Sequence, residues 1–224
     1  MKIGTQIYNA IFQKIHNEGY KFVAISVLVT FILLLVSKFL GFIGLLITIW
    51  VYYFFRDPDR ISIDDEDYLV SPADGLITQI IETNGPKEFS LENKKFTRVS
   101  IFMSVFNCHV NRSPTLASIE DIFYVPGAFF NATLDKSSEE NERNLIKFKT
   151  NNGDEIIVVQ IAGLIARRIV CECNKSQTLQ QGAKIGMIRF GSRVDIYFSN
   201  YKSLVKQNQS AIAGETLIAK KQII

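Results

Sequence analysis

The sequence predicts a mostly β, α+β protein, in which a compact antiparallel β domain follows a membrane-embedded helical segment near the N-terminus. Two observations support this prediction. Apolar residues make up 47% of the 224-residue chain, but they crowd into residues 22–55. Beyond that stretch, apolar and polar residues alternate over short runs, as they do in half-buried strands. The chain therefore divides into a cytoplasmic N-terminal segment (1–21), a membrane segment (22–55) and a β-rich domain (56–224).

Two arrangements in a membrane fit the length of the apolar segment. It consists of 16 apolar-dominated residues, then Lys38, then 17 more. One helix needs about 20 residues, and no fewer than about 17, to cross a bilayer core. The segment is thus too long for one simple span and slightly short for two full ones. A tight helical hairpin that turns near Ser37 and one tilted span with an interfacial remainder both fit, and a buried helix of a soluble protein is the weaker alternative.

The residues that flank the apolar segment favour the hairpin. Lysines precede the segment, and Arg56 and Arg60 follow it. Positive charge on both sides favours two cytoplasmic ends, and Trp50, Tyr52 and Tyr53 form an aromatic belt near the second end. A signal peptide is not expected, because the apolar run is too long and no small-residue cleavage site follows it.

Charge and cysteine content exclude several classes of protein. The net charge of +3, from 25 basic and 22 acidic side chains, is too balanced to indicate nucleic-acid binding. Cys108, Cys171 and Cys173 lack the spacing of a disulfide framework, so we expect reduced thiols in a cytosolic compartment. Cys171 and Cys173 alternate along a predicted strand, which places both thiols on one face. With only His16 and His109 as histidine ligands, we expect no metal site.

The β domain contains five stretches that mix β-branched and aromatic residues with partial alternation. They are RVSIFMSVF (98–106), NLIKFKT (144–150), EIIVVQIAG (155–163), RRIVCEC (167–173) and RVDIYFS (193–199). Asn152-Gly153, between the second and third stretches, is a strong signal for a two-residue hairpin turn. LDKSSEENERN (134–144) is charged and lacks apolar periodicity, which predicts a solvated loop. GLIARRI (163–169) fits either a short helix or the start of a strand.

Three side chains in distinct segments are candidates for chemistry. Ser192 lies in RFGSRVD, His109 in FNCHVNRSP and Asp74 in SPADG. A serine hydroxyl is a weak nucleophile at neutral pH, and an imidazole oriented by a carboxylate activates it. Each residue also has an ordinary structural explanation, such as a turn for Asp74 or a bulge beside Gly191. The chain has no G-x-S-x-G elbow, which argues against an ordinary α/β-hydrolase.

Six segments resemble those of phosphatidylserine decarboxylase proenzymes of the short, bacterial type, and they occur in the same order. They are FRDP, SPADG, CHVNRSP, GAFFNATLDKSSEENERN, GLIARRI and IGMIRFGSRVD. The resemblance runs from about Phe55 to the C-terminus, and the apolar segment agrees in kind. It implies a pyruvoyl-dependent carboxy-lyase that converts phosphatidylserine to phosphatidylethanolamine and CO2. It also implies a cell (inner) membrane location, with the catalytic domain on the cytoplasmic face.

The resemblance further implies that the chain is a zymogen that makes its own cofactor. Ser192 would attack the carbonyl carbon of Gly191, with His109 as the base and Asp74 fixing the tautomer of the imidazole. The products would be a large chain (1–191) and a small chain (192–224) that stay together as a heterodimer, with a dimer of these as the family expectation. Ser192 would become the pyruvoyl group. Arg112, Arg167 and Arg168 are candidates for binding the lipid phosphate or carboxylate by charge alone.

Two other classes of function remain open at this point. AIAGETLIAK (211–220) resembles the closing hairpin of biotinyl or lipoyl domains, which would make the chain a carrier module. A serine hydrolase that acts on membrane lipids with Ser192 intact is the third possibility. Only the decarboxylase has to be cut, so the integrity of the chain distinguishes these functions.

Overall fold

The computed structural model describes residues 13–128, 140–163, 168–189 and 192–222. The chain forms two compact units that divide between Asp59 and Arg60, a few residues later than the expected boundary at residue 56. The later boundary has a local cause. Asp57 N donates to Lys14 O at 2.7 Å, and Lys14 Nζ forms an ion pair with Asp59 Oδ2 at 3.0 Å. These contacts tie the residues after the apolar segment to the first unit.

The first unit is a helical hairpin. A 3₁₀ turn (Asn17–Gly19) leads into α1 (Tyr20–Val36), and α2 (Lys38–Phe54) follows directly. Ser37 breaks the helix with extended backbone, and its hydroxyl caps α2 by accepting from the N–H of Phe39. The helices pack antiparallel, with the hydroxyl oxygens of Thr30 and Thr48 2.9 Å apart. Of the two arrangements that the sequence left open, the structure has the hairpin.

The surface of this hairpin is apolar nearly all round. Its exposed side chains include Phe31, Leu35 and Phe39, which are 60%, 73% and 69% exposed. By length and composition, the helix from Asn17 to Val36 is able to cross a membrane, with a mean hydropathy of 2.3 over its best window. The second helix is slightly shorter.

The second unit is built mainly of antiparallel strands. They are β1 (Tyr68–Val70), β2 (Gly75–Asn84), β3 (Lys95–Met103), β4 (Val110–Arg112), β5 (Ala117–Val125), β6 (Arg143–Thr150), β7 (Glu155–Ala162), β8 (Ile169–Cys171), β9 (Thr178–Leu179), β10 (Lys184–Ile188), β11 (Ser192–Phe198), β12 (Tyr201–Ser203), β13 (Ser210–Ala211) and β14 (Leu217–Lys221). A short 3₁₀ turn (Lys87–Phe89) joins β2 to β3. This architecture confirms the predicted fold class.

The strands form one large sheet and two small ones. The large sheet has the order β13-β2-β3-β11-β7-β6-β5-β9, and the small sheets have the orders β1-β14-β12 and β4-β10-β8. β11 is buried along its whole length, between β3 and β7. On one face, Val194, Ile196 and Phe198 join the main core. On the other face, Tyr197 joins a smaller apolar cluster. The strand that begins with Ser192 is thus one of the most enclosed in the molecule.

The five predicted strands are all present, as β3, β6, β7, β8 and β11. A turn at Asn152-Gly153 joins β6 to β7 as predicted, but it is longer than the predicted two-residue turn. Thr150 N donates to Asp154 O at 3.0 Å, which leaves three residues in the loop, and Gly153 adopts a φ of +83°, which favours glycine. β8 is shorter than the stretch that predicted it. Residues 164–167 of GLIARRI and residues 134–139 of the predicted solvated loop lie outside the described residues. The prediction is wrong for the end of that loop, because residues 141–144 are buried and β6 begins at Arg143.

Candidate active site

Ser192 is the first residue of the central strand β11. Its backbone is in register with Met103 of β3 on one side and Ala162 of β7 on the other. Its side chain is fully buried, and Oγ donates a hydrogen bond to Met103 Sδ at 3.4 Å. Gly191 lies outside the described residues. The pairing on both sides fixes Ser192 at the point where the chain enters the sheet.

His109 lies at the same end of the large sheet as Ser192. It follows the turn after β3 and is fully buried. Its carbonyl oxygen accepts from the N–H of Ile188 at 3.3 Å, while Met103, six residues earlier in the chain, pairs with Ser192. The short connection from Ile188 to Ser192 is therefore anchored at both ends to the segment that holds His109.

The orientation of the imidazole comes from its own loop. His109 Nδ1 lies 2.9 Å from the carbonyl oxygen of Asn107. A carbonyl only accepts hydrogen bonds, so Nδ1 carries the proton and Nε2 presents the lone pair of the neutral ring. The Asn107 side chain holds the turn in place, because its Oδ1 accepts from both the N–H and the hydroxyl of Ser104. The ring is thus held in the tautomer that a general base at Nε2 requires.

The carboxylate of Asp74 has other hydrogen-bond partners. Its Oδ2 accepts from Arg60 Nη2 at 2.9 Å, and its Oδ1 accepts from the N–H of Ala213 at 2.8 Å. Asp74 was expected to fix the tautomer of His109, but the single proton of Nδ1 is donated to the Asn107 carbonyl. In this structure the Asn107 carbonyl therefore fixes the tautomer.

Asp74 nevertheless lies at the Ser192 end of the large sheet. It immediately precedes β2, where Leu76 pairs with Phe102 of β3. Phe102 in turn pairs with Arg193, the neighbour of Ser192. Asp74, His109 and Ser192 therefore lie in three adjoining segments, at the same end of the large sheet.

A chain of buried amides runs from Ser192 across the sheet. Met103 Sδ, which accepts from Ser192 Oγ, also accepts from Asn111 Nδ2 at 3.7 Å. Asn111 Oδ1 accepts from Gln160 Nε2, and Gln160 Oε1 accepts from Asn144 Nδ2, both at 2.9 Å. All three amide side chains are buried. Each amide forms a hydrogen bond with its neighbour, so this row of three amides fixes the polar surroundings of Ser192.

The sequence analysis missed this row of buried amides, although the position of one of them in its strand is a recognisable signal. Gln160 lies on the same face of β7 as Val158 and Ala162, which belong to the main core. A polar residue on the apolar face of a strand is expected to be buried and hydrogen-bonded, so the alternation along the sequence identifies it. Asn107 left no such signal for its contact with His109, because it acts through its main-chain carbonyl.

The three candidate arginines have different surroundings. Arg112 is buried, and its Nη1 donates to the carbonyl of Gly182 at 2.9 Å. Arg168 is exposed, and its carbonyl accepts from the N–H of Arg189 at 3.2 Å. Arg167 lies outside the described residues. Of the two described arginines, only Arg168 is accessible to a ligand.

A buried ion pair follows Ser192 on the other face of β11. Arg193 Nε and Nη2 donate to the two carboxylate oxygens of Asp195 at 2.6 and 2.9 Å. Arg193 Nη2 also donates to Ser100 Oγ on β3. The bidentate pair joins two residues of β11 itself, and the hydrogen bond to Ser100 ties it to β3 one residue after Ser192.

Comparison with known proteins agrees with the motifs. The family model for phosphatidylserine decarboxylase matches residues 47–219. The chain is 65% identical over 211 residues to the phosphatidylserine decarboxylase proenzyme of Pelagibacter ubique, with 94% of this chain and 98% of the relative covered. It is 50% identical over 208 residues to the proenzyme of Ruegeria pomeroyi, covering 92% and 95%. It is 49% identical over 213 residues to that of Rickettsia typhi, covering 95% and 92%.

These matches cover most of the chain and most of each relative, and they confirm the resemblance seen in the six motifs. The match also includes the segments that hold Asp74, His109 and Ser192. The chain belongs to the phosphatidylserine decarboxylase family.

Proposed function

We propose that this chain is a proenzyme that cleaves itself between Gly191 and Ser192 and then converts phosphatidylserine to phosphatidylethanolamine and CO2. Membership of the family supports the reaction. The structural observation that supports the site is the enclosed hydroxyl of Ser192, at the start of the central strand and at the same end of the sheet as His109. An intramolecular acyl shift requires an enclosed nucleophile and a base that can reach it, and the shared end of the sheet is what supports His109 in that role.

The self-cleavage assigns one role to each group. Ser192 Oγ attacks the carbonyl carbon of Gly191, and His109 Nε2 takes the hydroxyl proton. The peptide C–N bond breaks, the proton passes to the released amine, and an ester joins Gly191 to Ser192. Elimination across Cα–Cβ of residue 192 then releases the Gly191 carboxylate and leaves a dehydroalanine. Water hydrolyses that unit to ammonia and the pyruvoyl group.

Asp74 supports this step from a distance. With Arg60 and the Ala213 amide it fixes the start of β2 at the Ser192 end of the sheet.

A pyruvoyl group made from Ser192 fits the surroundings of that residue. Asn111 Nδ2 already donates to the sulfur that Ser192 Oγ contacts, so a carbonyl oxygen at residue 192 has an amide donor nearby. When formed, the ketone supplies a sink for the electron pair that departing CO2 leaves behind. The Met103 side chain encloses residue 192. His109 holds the proton that the substrate carbon takes up after CO2 leaves.

The exposed guanidinium of Arg168 is our candidate for binding the substrate headgroup. Its backbone contacts Arg189, which leads to Ser192, and guanidinium groups bind phosphate and carboxylate through paired hydrogen bonds. Arg167 is proposed with it. Arg112 is better explained as a structural residue, because it is buried against the Gly182 carbonyl.

We also propose that the helical hairpin anchors the protein in the cell membrane, with both chain ends and the β domain on the cytoplasmic side. The exposed apolar surface of α1 and α2 supports this, since such a surface is unfavourable in water and favourable in lipid. A lipid substrate makes the anchor useful, because the acyl chains can stay in the bilayer.

Turnover of phosphatidylserine vesicles tests the function directly. Purified wild type, reconstituted in vesicles, should release CO2 and form phosphatidylethanolamine. Ser192→Ala should do neither, whereas Ser210→Ala, a control at an exposed serine of β13, should match wild type. A lipid hydrolase would release fatty acid or headgroup instead, and a carrier module would change no lipid. Activity in Ser192→Ala would overturn the proposal.

A further inference from the structure

Two thiols outside the proposed active site lie close enough to react with each other. Cys171 ends β8, and Cys173 follows two residues later. Their sulfur atoms are 3.5 Å apart, and both cysteines are free. A disulfide requires about 2.05 Å between sulfurs, so a side-chain movement of about 1.5 Å joins them. No step of the proposed reaction uses either thiol.

The two thiols differ in accessibility. Cys171 is exposed, whereas Cys173 is buried. An oxidant in solvent therefore meets Cys171 first. Cys173, held directly behind it, is in position to react with whatever forms there.

The two thiols also differ in acidity. The hydrogen bond with Cys173 lowers the pKa of Cys171 to about 6, with help from the Cys173 backbone and the Asn144 amide and against burial and the Glu172 charge. Contact with Cys171, together with burial, raises the pKa of Cys173 well above its ordinary value. The hydrogen bond between the two sulfurs therefore favours the thiolate at Cys171 over the thiolate at Cys173. The thiolate is the form that reacts with oxidants.

We propose that Cys171 and Cys173 form a reversible oxidation site for peroxides, with Cys171 as the thiol that reacts with the peroxide and Cys173 as the resolving thiol. The Cys171 sulfur attacks one oxygen of hydrogen peroxide, the O–O bond breaks, and sulfenic acid and hydroxide form. The Cys173 sulfur then attacks the Cys171 sulfur, the S–O bond breaks, and water leaves. Overall the two thiols lose two protons and two electrons, and one peroxide becomes two waters. A dithiol reductant reverses the change.

This site is independent of the proposed decarboxylation, and its test needs no substrate. The full chain is treated with hydrogen peroxide, then alkylated, denatured and digested with trypsin. Cleavage after Arg168 and Lys175 gives one peptide, residues 169–175, that contains both thiols. In wild type this peptide should lose two hydrogens and resist alkylation, and dithiothreitol should restore both thiols.

Single substitutions separate the two roles. Cys173→Ser should stop at the sulfenic acid, which dimedone traps on Cys171. Cys171→Ser should give no dimedone adduct at Cys173 and no intramolecular disulfide. Cys108, which is buried, is the internal control and should react at least about tenfold more slowly than Cys171.

Two results would overturn the proposal. One is a wild-type 169–175 peptide that stays fully reduced at peroxide concentrations that oxidise a free cysteine peptide. The other is a dimedone adduct that forms on Cys173 in Cys171→Ser as fast as it forms on Cys171 in Cys173→Ser. Because the readout is the mass of one peptide, neither result depends on whether the chain cleaves itself.

Discussion

His109 takes its orientation from the main chain of its own loop. The Asn107 carbonyl holds Nδ1, which leaves Nε2 as the basic nitrogen. The carboxylate of Asp74 holds the neighbouring β2 start through Arg60 and Ala213. At the scale of single residues, the proposed self-cleavage therefore depends on one imidazole and one hydroxyl, with the carboxylate acting at longer range.

Removal of the imidazole should block maturation. In His109→Ala we expect self-cleavage to slow by about 10²- to 10⁴-fold, the usual contribution of a general base. Gel electrophoresis of freshly expressed protein over time measures the uncut fraction. His16→Ala, at the other histidine of the chain, is the matched control and should mature normally. Maturation of His109→Ala at the wild-type rate would show that another group takes the serine proton.

The element that matters most is β11. It carries Ser192 at its first position and is locked between β3 and β7 along its whole length. Arg193 and Asp195 add a buried bidentate ion pair on the face away from the Ser192 side chain. The strand therefore provides a rigid support for the bond that we propose is cut.

Breaking this ion pair should destabilise the β domain strongly. In Asp195→Asn, the Arg193 charge stays buried without its carboxylate, and we expect a loss of about 3 kcal/mol or more in the free energy of unfolding. Denaturant unfolding in a Ser192→Ala background, which keeps the chain in one piece, measures the change. Asp121→Asn is the control, because its ion pair with Lys175 is solvent-exposed, and it should change stability very little. Equal stability of Asp195→Asn and the Ser192→Ala parent would mean that the pair contributes nothing.

Much of this element structure was predictable from the sequence. β7 is rich in β-branched residues, β6 and β11 mix β-branched and aromatic residues, and Gly153 marks the turn between β6 and β7. The short strands β4 and β10 were among those not predicted, because they contain polar or glycine residues and become strands through pairing, β4 with β10 and β10 also with β8. Their pairing also brings the segment of His109 to the end of β10, four residues before Ser192. The motifs named both residues, but the contact between their segments is a tertiary one that no local pattern encodes.

At the scale of the whole molecule, the chain combines two units of opposite character. The first exposes apolar side chains over most of its helical surface, while the second buries its apolar side chains in two clusters. The break between them at Asp59 and Arg60 falls after the last contacts of the helical hairpin. We therefore assign membrane attachment to the first unit and chemistry to the second.

Membrane extraction tests this division of roles. The full chain should stay in the membrane fraction through high salt and alkaline carbonate, because about 33 apolar residues hold it there. A variant without residues 1–55 should be extracted far more easily and should still cleave itself, since Ser192 and His109 belong to the second unit. Its turnover of vesicle-bound phosphatidylserine should fall more than its self-cleavage. Equal turnover with and without the hairpin would contradict the role of the anchor.

The mass of the mature protein tests the central claim most directly. We predict two polypeptides in purified wild type, one ending at Gly191 and one comprising residues 192–224 with a ketone in place of its N-terminal amine. The two should elute together under native conditions, because the small chain contributes β11 to the centre of the sheet, and they should separate on denaturation. Hydroxylamine should add to the small chain, and Ser192→Ala should remain one chain of 224 residues. A wild-type chain that decarboxylates phosphatidylserine while uncut would contradict the account.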